Sequence, residues 1–215
     1  MPRANEVITM PKRFNNIIAI IWLMLILALQ GCTTVPSSDA DVQASAVNAP
    51  AEAVAEFNRA VEILKSGQRS VALQLFQQMA VRYPQLAGIQ VNIGIIHLQD
   101  GKTKDAIAAL KHAIQINPAN ATAYHHLGIA YRQAGQFTAA KDAYLQALKI
   151  KPDYANAHLN LGILYDLYLQ QLAPALQHYK QYQQLASNED KQVSKWVVDL
   201  ERRLAAEQAK AKGGS

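Results

Sequence analysis

The chain has one cysteine in 215 residues, so an intrachain disulfide is excluded and core packing must hold the fold. Long apolar runs are equally scarce. The clearest, Ile17 to Leu29, is 13 residues, short of the roughly 20 that a membrane-spanning helix needs. Charge of one sign is not dominant either. Beyond residue 31 there are 18 basic and 15 acidic residues, a net of +3, which does not by itself argue for nucleic acid. Chemistry-bearing clusters are also missing. Gly101-Lys102-Thr103 imitates the end of a phosphate-binding loop, but the earlier glycine of such a loop would fall on Ile96. His125 and His126 are adjacent, so their rings point to different sides of a helix. A third ligand from His97 or His158 would demand a particular geometry. The expectation is a protein without catalytic residues, cofactor or metal.

What is present begins at the N-terminus. Lys12 and Arg13 precede the apolar run, and Gly31-Cys32 follows it. A basic segment, a short apolar segment and a small residue before a cleavage point form a secretory signal. Leu29-Gln30-Gly31-Cys32 resembles the bacterial lipobox. That resemblance implies that Cys32 becomes the first mature residue and carries acyl chains. Thr33 is not aspartate, so the same family rule points to the outer membrane, on its periplasmic leaflet. A free cysteine behind an ordinary signal, or an uncleaved span, remains the alternative. Residues 1–31 are thus read as signal and 32–52 as tether. Thr33 to Pro50 lacks apolar periodicity, and a disordered chain of that length spans roughly 20–25 Å.

The remainder repeats every 34 residues, from Ala53, Ala87, Ala121 and Ala155. Ala60, Gly94, Gly128 and Gly162 share one register, where a small side chain lets one helix touch the next. Gly67, Gly101 and Gly135 share another, suited to the left-handed backbone that ends a helix. Pro84, Pro118 and Pro152 close each unit. With Tyr124, Leu127, Tyr131, Ala140, Tyr144 and Ala147, the pattern resembles the tetratricopeptide repeat. The resemblance implies an all-α, right-handed solenoid: four helix pairs over 53–187 and a capping helix over 188–212. Asn188-Glu189-Asp190 reads as that helix's start. Trp196, Val197, Leu200 and Leu204 form its apolar face. Ala205 to Lys212 turns polar and is expected to fray.

The fourth repeat departs from the pattern. Ala175 lies ten residues after Tyr165, whereas Ala140 lies nine after Tyr131. One residue has been added within Asp166–Ala173, and the turn glycine is gone. Tyr182 also stands where Ala113 and Ala147 stand, and Tyr165, Tyr168, Tyr179 and Tyr182 could fill a widened gap. A local core adjustment and a specialised binding surface both fit.

In tetratricopeptide arrays the first helix of each pair lines the concave face. One register there reads Asn58, Asn92, His126, Asn160. Asparagine is a poor helix former, yet its amide both donates and accepts. Such a column resembles the asparagine ladders that hold extended peptides in other tetratricopeptide proteins. Val61, Ile95, Ile129 and Ile163 form an apolar column beside it, with Val91, His125 and Leu159 as neighbours. Arg132 is the most obvious cation, too solitary for a carboxylate clamp. The alternative is a solvated face without a ligand. By architecture, the chain looks like a small envelope lipoprotein of the pilotin or hydrolase-scaffold type. Such a protein would hold an extended or helical segment of another envelope protein in its groove. A constitutive subunit of an envelope assembly is the second reading, and homodimerisation through the fourth repeat stays open.

Overall fold

The computed structural model describes residues 49–213. The signal segment, Cys32 and nearly all of the tether lie outside them. Nine helices form the described part: α1 (Ala51–Lys65), α2 (Arg69–Arg82), α3 (Ala87–Gln99), α4 (Thr103–Ile116), α5 (Ala121–Gln133), α6 (Phe137–Ile150), α7 (Ala155–Ile163), α8 (Leu172–Leu185) and α9 (Lys191–Gly213). α7 runs directly into a π-helical turn, Leu164–Tyr168. Helices pair in sequence, as α1 with α2 and so on, and α9 covers α8. The chain therefore folds as a solenoid of four antiparallel pairs plus a terminal helix, each unit burying its apolar face on its neighbours. α3 also touches α5, which lays first helices side by side as one wall.

The small-residue register explains how the pairs close. A methyl group on Gly128 would lie 2.5 Å from Tyr144 Cε1, inside van der Waals contact. The ring of Tyr144 occupies the space that the missing side chain leaves, and it is fully buried. Leu110 and Tyr179 meet Gly94 and Gly162 in the same way. Ala60 keeps its methyl group and packs with Phe76 in the first cluster.

The inter-helix turns show what the extra residue does. In the third repeat Gly135 adopts φ +73°, and the amide of Gln136 donates to the carbonyl of Tyr131 at 2.8 Å. Lys102 and Gln68 make the same bond to His97 and Ile63. In the fourth repeat the equivalent amide is Gln171, which donates to Tyr165 at 2.8 Å across one more residue. The addition is absorbed upstream of the turn, where Leu169 N–H reaches back to Leu164 at 3.0 Å, the wider ring of a π turn. Gln170 takes the left-handed conformation, φ +53°, in place of glycine. The packing beyond recovers: Tyr179 and Tyr182 are buried in one cluster with Ala175, Val193 and Leu200.

α9 starts as its sequence suggests. Asp190 Oδ1 accepts from the amides of Gln192 (2.9 Å) and Val193 (3.1 Å), two of the donors that a helix start leaves open. Val197 and Leu200 are buried, with Trp196 and Leu204 packed beside them. The helix continues through the polar stretch after Ala205 to Gly213. That stretch is built of Ala, Glu, Gln and Lys, which favour the helix without tertiary help. At the other end α1 begins at Ala51 rather than Ala53, because the Pro50 carbonyl accepts from the Val54 amide at 3.1 Å.

Candidate functional site

The Asn58–Asn92–His126–Asn160 register lies on α1, α3, α5 and α7, the first helix of each pair. Asn58 is exposed, Asn92 is buried, and His126 and Asn160 are half-buried. The amides are not free. Asn92 Nδ2 donates to the carbonyl of Gly88, one turn back in its own helix, at 2.8 Å. Asn160 Nδ2 faces the carbonyl of Asn156 at 3.0 Å and His125 Nε2 at 3.0 Å. A carbonyl can only accept, which fixes the nitrogen's orientation and spends both amide hydrogens of Asn160. Asn160 is left with an acceptor oxygen. Asn92 keeps one donor and its oxygen.

His125 sets this geometry, although the sequence shows it only as a neighbour of the column. It is 5% exposed. Its Nε2 accepts from Asn160, so Nδ1 carries the proton and donates to the Tyr154 hydroxyl at 3.2 Å. Burial, and secondarily the neighbouring His126, push its pKa well below the ordinary histidine value. Burial lowers His126 to about 4. Both rings are neutral at pH 7, so the column is uncharged and suits amide groups better than ions. Ile95, Ile129 and Ile163 are half-buried beside it. Val91 is buried and Leu159 half-buried.

Arg132 stands apart from this neutral face. Its guanidinium lies 5.8 Å from the centre of the Tyr168 ring. Its guanidinium interacts with the hydroxyls of Tyr144 and Tyr168, although neither its buried Nε nor the Tyr144 hydroxyl makes a well-aligned hydrogen bond. Burial raises the Tyr144 pKa to about 12, with Arg132 pulling it the other way.

One histidine pair was invisible in the sequence. His158 Nδ1 and His178 Nδ1 are 2.9 Å apart, and His158 Nε2 reaches the Pro152 carbonyl at 3.0 Å. The carbonyl requires a proton on His158 Nε2, so His158 Nδ1 accepts from His178 Nδ1–H. Tyr165 stacks on His178, 5.7 Å between ring centres. Burial, then the proximity of His158, lowers His178 to about 4. The pair bridges α7 and α8. Among the described residues, no three His, Cys, Asp or Glu side chains converge on a metal position. Gly101 (φ +71°) ends the turn before α4, as in the neighbouring repeats.

A periodic helical wall with a column of hydrogen-bonding side chains defines a repeat-type interaction scaffold. Its repeats resemble the tetratricopeptide repeat: the family model described as "TPR repeat" matches residues 94–135 and 128–167. This repeat is typically a scaffold for protein–protein interaction rather than a catalytic fold. No curated protein sequence matches the chain. Among solved structures, Pseudomonas aeruginosa pilF is 17% identical, with a TM-score of 0.65 over 72% of this chain and 69% of its own. A thermophilic TPR protein of Thermus thermophilus is 21% identical, with a TM-score of 0.59 over 71% and 82%. The first TPR domain of Spaghetti (RPAP3), bound to an HSP90 peptide, is 21% identical, with a TM-score of 0.52 over 55% and 93%. At these identities the likeness concerns the fold.

Proposed function

We propose that the chain is a non-catalytic adaptor, tethered by lipid on Cys32 to the periplasmic leaflet of the bacterial outer membrane. It holds an extended or helical segment of another envelope protein on the wall formed by α1, α3, α5 and α7. The observation that carries the groove reading is the His125–Asn160 pair. His125 holds the Asn160 amide from behind, so its oxygen is a fixed, neutral acceptor for a backbone N–H. The peptide-bound state of the Spaghetti domain supports the use of such a wall for peptides. The envelope part rests on the sequence at Leu29–Cys32.

Replacing both Asn92 and Asn160 with Ala should weaken capture of the crosslinked native partner about tenfold; because Asn160 also satisfies the buried His125 Nε2, a stability loss of about 1–3 kcal/mol accompanies it, and capture is compared where both proteins are folded. Undiminished capture would count against the column. Cys32→Ser should release the protein from the membrane fraction, and persistent fractionation without acylation would sink the anchor.

A further inference from the structure

We propose that the wall of first helices takes an amphipathic helix, whose uncharged apolar stripe lies across the four repeats, and not an extended strand. The proposal rests on the groove reading above and narrows its ligand.

Helix pitch defines the receiving face. At about 100° per residue, the Asn58–Asn92–His126–Asn160 register lies about 160° from the small-residue register that meets the second helices. It therefore points straight away from them. Val61, Ile95, Ile129 and Ile163 stand about 60° round from it, half-buried. Val54, one turn before Asn58, is 37% exposed. No residue at the registers of Val54, Asn58 or Val61 carries a formal charge in any repeat, and His126 is neutral at pH 7. The charges that border the face are answered within the chain. Lys65 pairs with Glu62 at 3.1 Å and Asp166 with Arg203 at 3.3 Å. The face that matches this wall carries no charge, because a charge buried there would lack a counter-ion.

Hydrogen bonding separates strand from helix. An extended segment leaves N–H and C=O groups open along its edges and is held by main-chain hydrogen bonds. The wall does not supply these in series. Asn92 is 6% exposed and donates to its own helix. Asn160 spends both amide hydrogens on Asn156 and His125. A helix satisfies its own backbone and asks only for apolar contact. Its first turn alone keeps free N–H groups, so the acceptor oxygen of Asn160 suits the start of that helix at the fourth repeat.

Spacing agrees. The first helices lie side by side, α3 touching α5, and helices in contact stand about 8–10 Å apart. Seven residues of a helix rise about 10.5 Å on one face, so residues i, i+7 and i+14 meet successive members of the Val/Ile register. A strand returns to the same face only after about 6.6 Å or 13 Å. Polyproline II repeats at about 9.3 Å, but it is held by aromatic-lined grooves, and no Phe, Tyr or Trp stands at these registers. Crossing all four repeats takes about 18 residues of helix.

A display library of random peptides, about 20 residues long, would be selected on the purified chain. Enriched peptides would be measured by fluorescence anisotropy, and by circular dichroism free and bound. Apolar residues at heptad spacing, without charge on that stripe, are expected, together with helix gained on binding. A proline at the peptide's centre should weaken binding about a hundredfold. Val61→Thr and Ile129→Thr, at half-buried sites where the hydroxyl reaches water, should each weaken it about fivefold. Binders that tolerate the proline, or repeat every two or three residues, yet weaken in Ile129→Thr, leave the groove standing and overturn the helix. Binders indifferent to both variants and to Asn92→Ala/Asn160→Ala overturn the groove itself. The absence of any enriched peptide overturns both.

Discussion

Lowering the pH from 7 to 5 should destabilise the solenoid, with His126 and His178 carrying a measurable share. Each is held at about 4 by burial, against roughly 6.5 in an unfolded chain. The folded state therefore binds fewer protons than the unfolded state across this window. Stability falls as protons become available. The contribution is fully present above about pH 6.5 and is lost progressively toward 4. For one histidine with these two values, the loss between pH 7 and 5 is about 1.8 kcal/mol. Both side chains keep partial contact with water, so about half of the pair's total, near 2 kcal/mol, is the working figure. His125, buried more deeply, adds in the same direction. Urea denaturation followed by circular dichroism, at constant ionic strength, measures the loss. The His126→Asn/His178→Gln variant should lose about 2 kcal/mol less than wild type over the same interval. Equal losses in the two proteins would refute the reasoning, because groups elsewhere would then carry the pH dependence.

Two stability predictions test the packing directly. Gly128→Ala gains about 1 kcal/mol of helix propensity but drives a methyl group into the buried Tyr144 ring. A net destabilisation of about 1–2 kcal/mol is expected; an unchanged or raised melting temperature would mean that the ring moves aside freely. Asp190→Ala removes the acceptor for two amides of α9 and should cost about 1 kcal/mol. Its amide exchange should quicken at Gln192 and Val193 first, and unchanged protection there would refute the cap.

The fold was legible because its determinants recur at a fixed spacing. Gly128 faces Tyr144 for the same reason that Gly94 faces Leu110, so three coincident registers outweighed any local ambiguity. The fourth repeat was legible only as a defect. The count from Tyr165 to Ala175 exposed the added residue, but its placement depends on backbone hydrogen bonds. The chain keeps the Gln171–Tyr165 bond and widens the last turn of α7 instead. The His158–His178 contact recurs in no other repeat and has no period to betray it. Within the candidate site, sequence spacing located the amides without showing how they are used. Bonds from Asn92 and Asn160 to the carbonyls of Gly88 and Asn156 are made within one helix, and an Asn column looks the same with or without them.

The strained residue of the fourth repeat is weak support for function. Gln170 in the left-handed region costs about 1 kcal/mol relative to glycine in the folded state. Glycine there would also gain conformational freedom in the unfolded chain, a loss to stability of about the same size. The two terms nearly cancel, so Gln170 can persist without selection for strain.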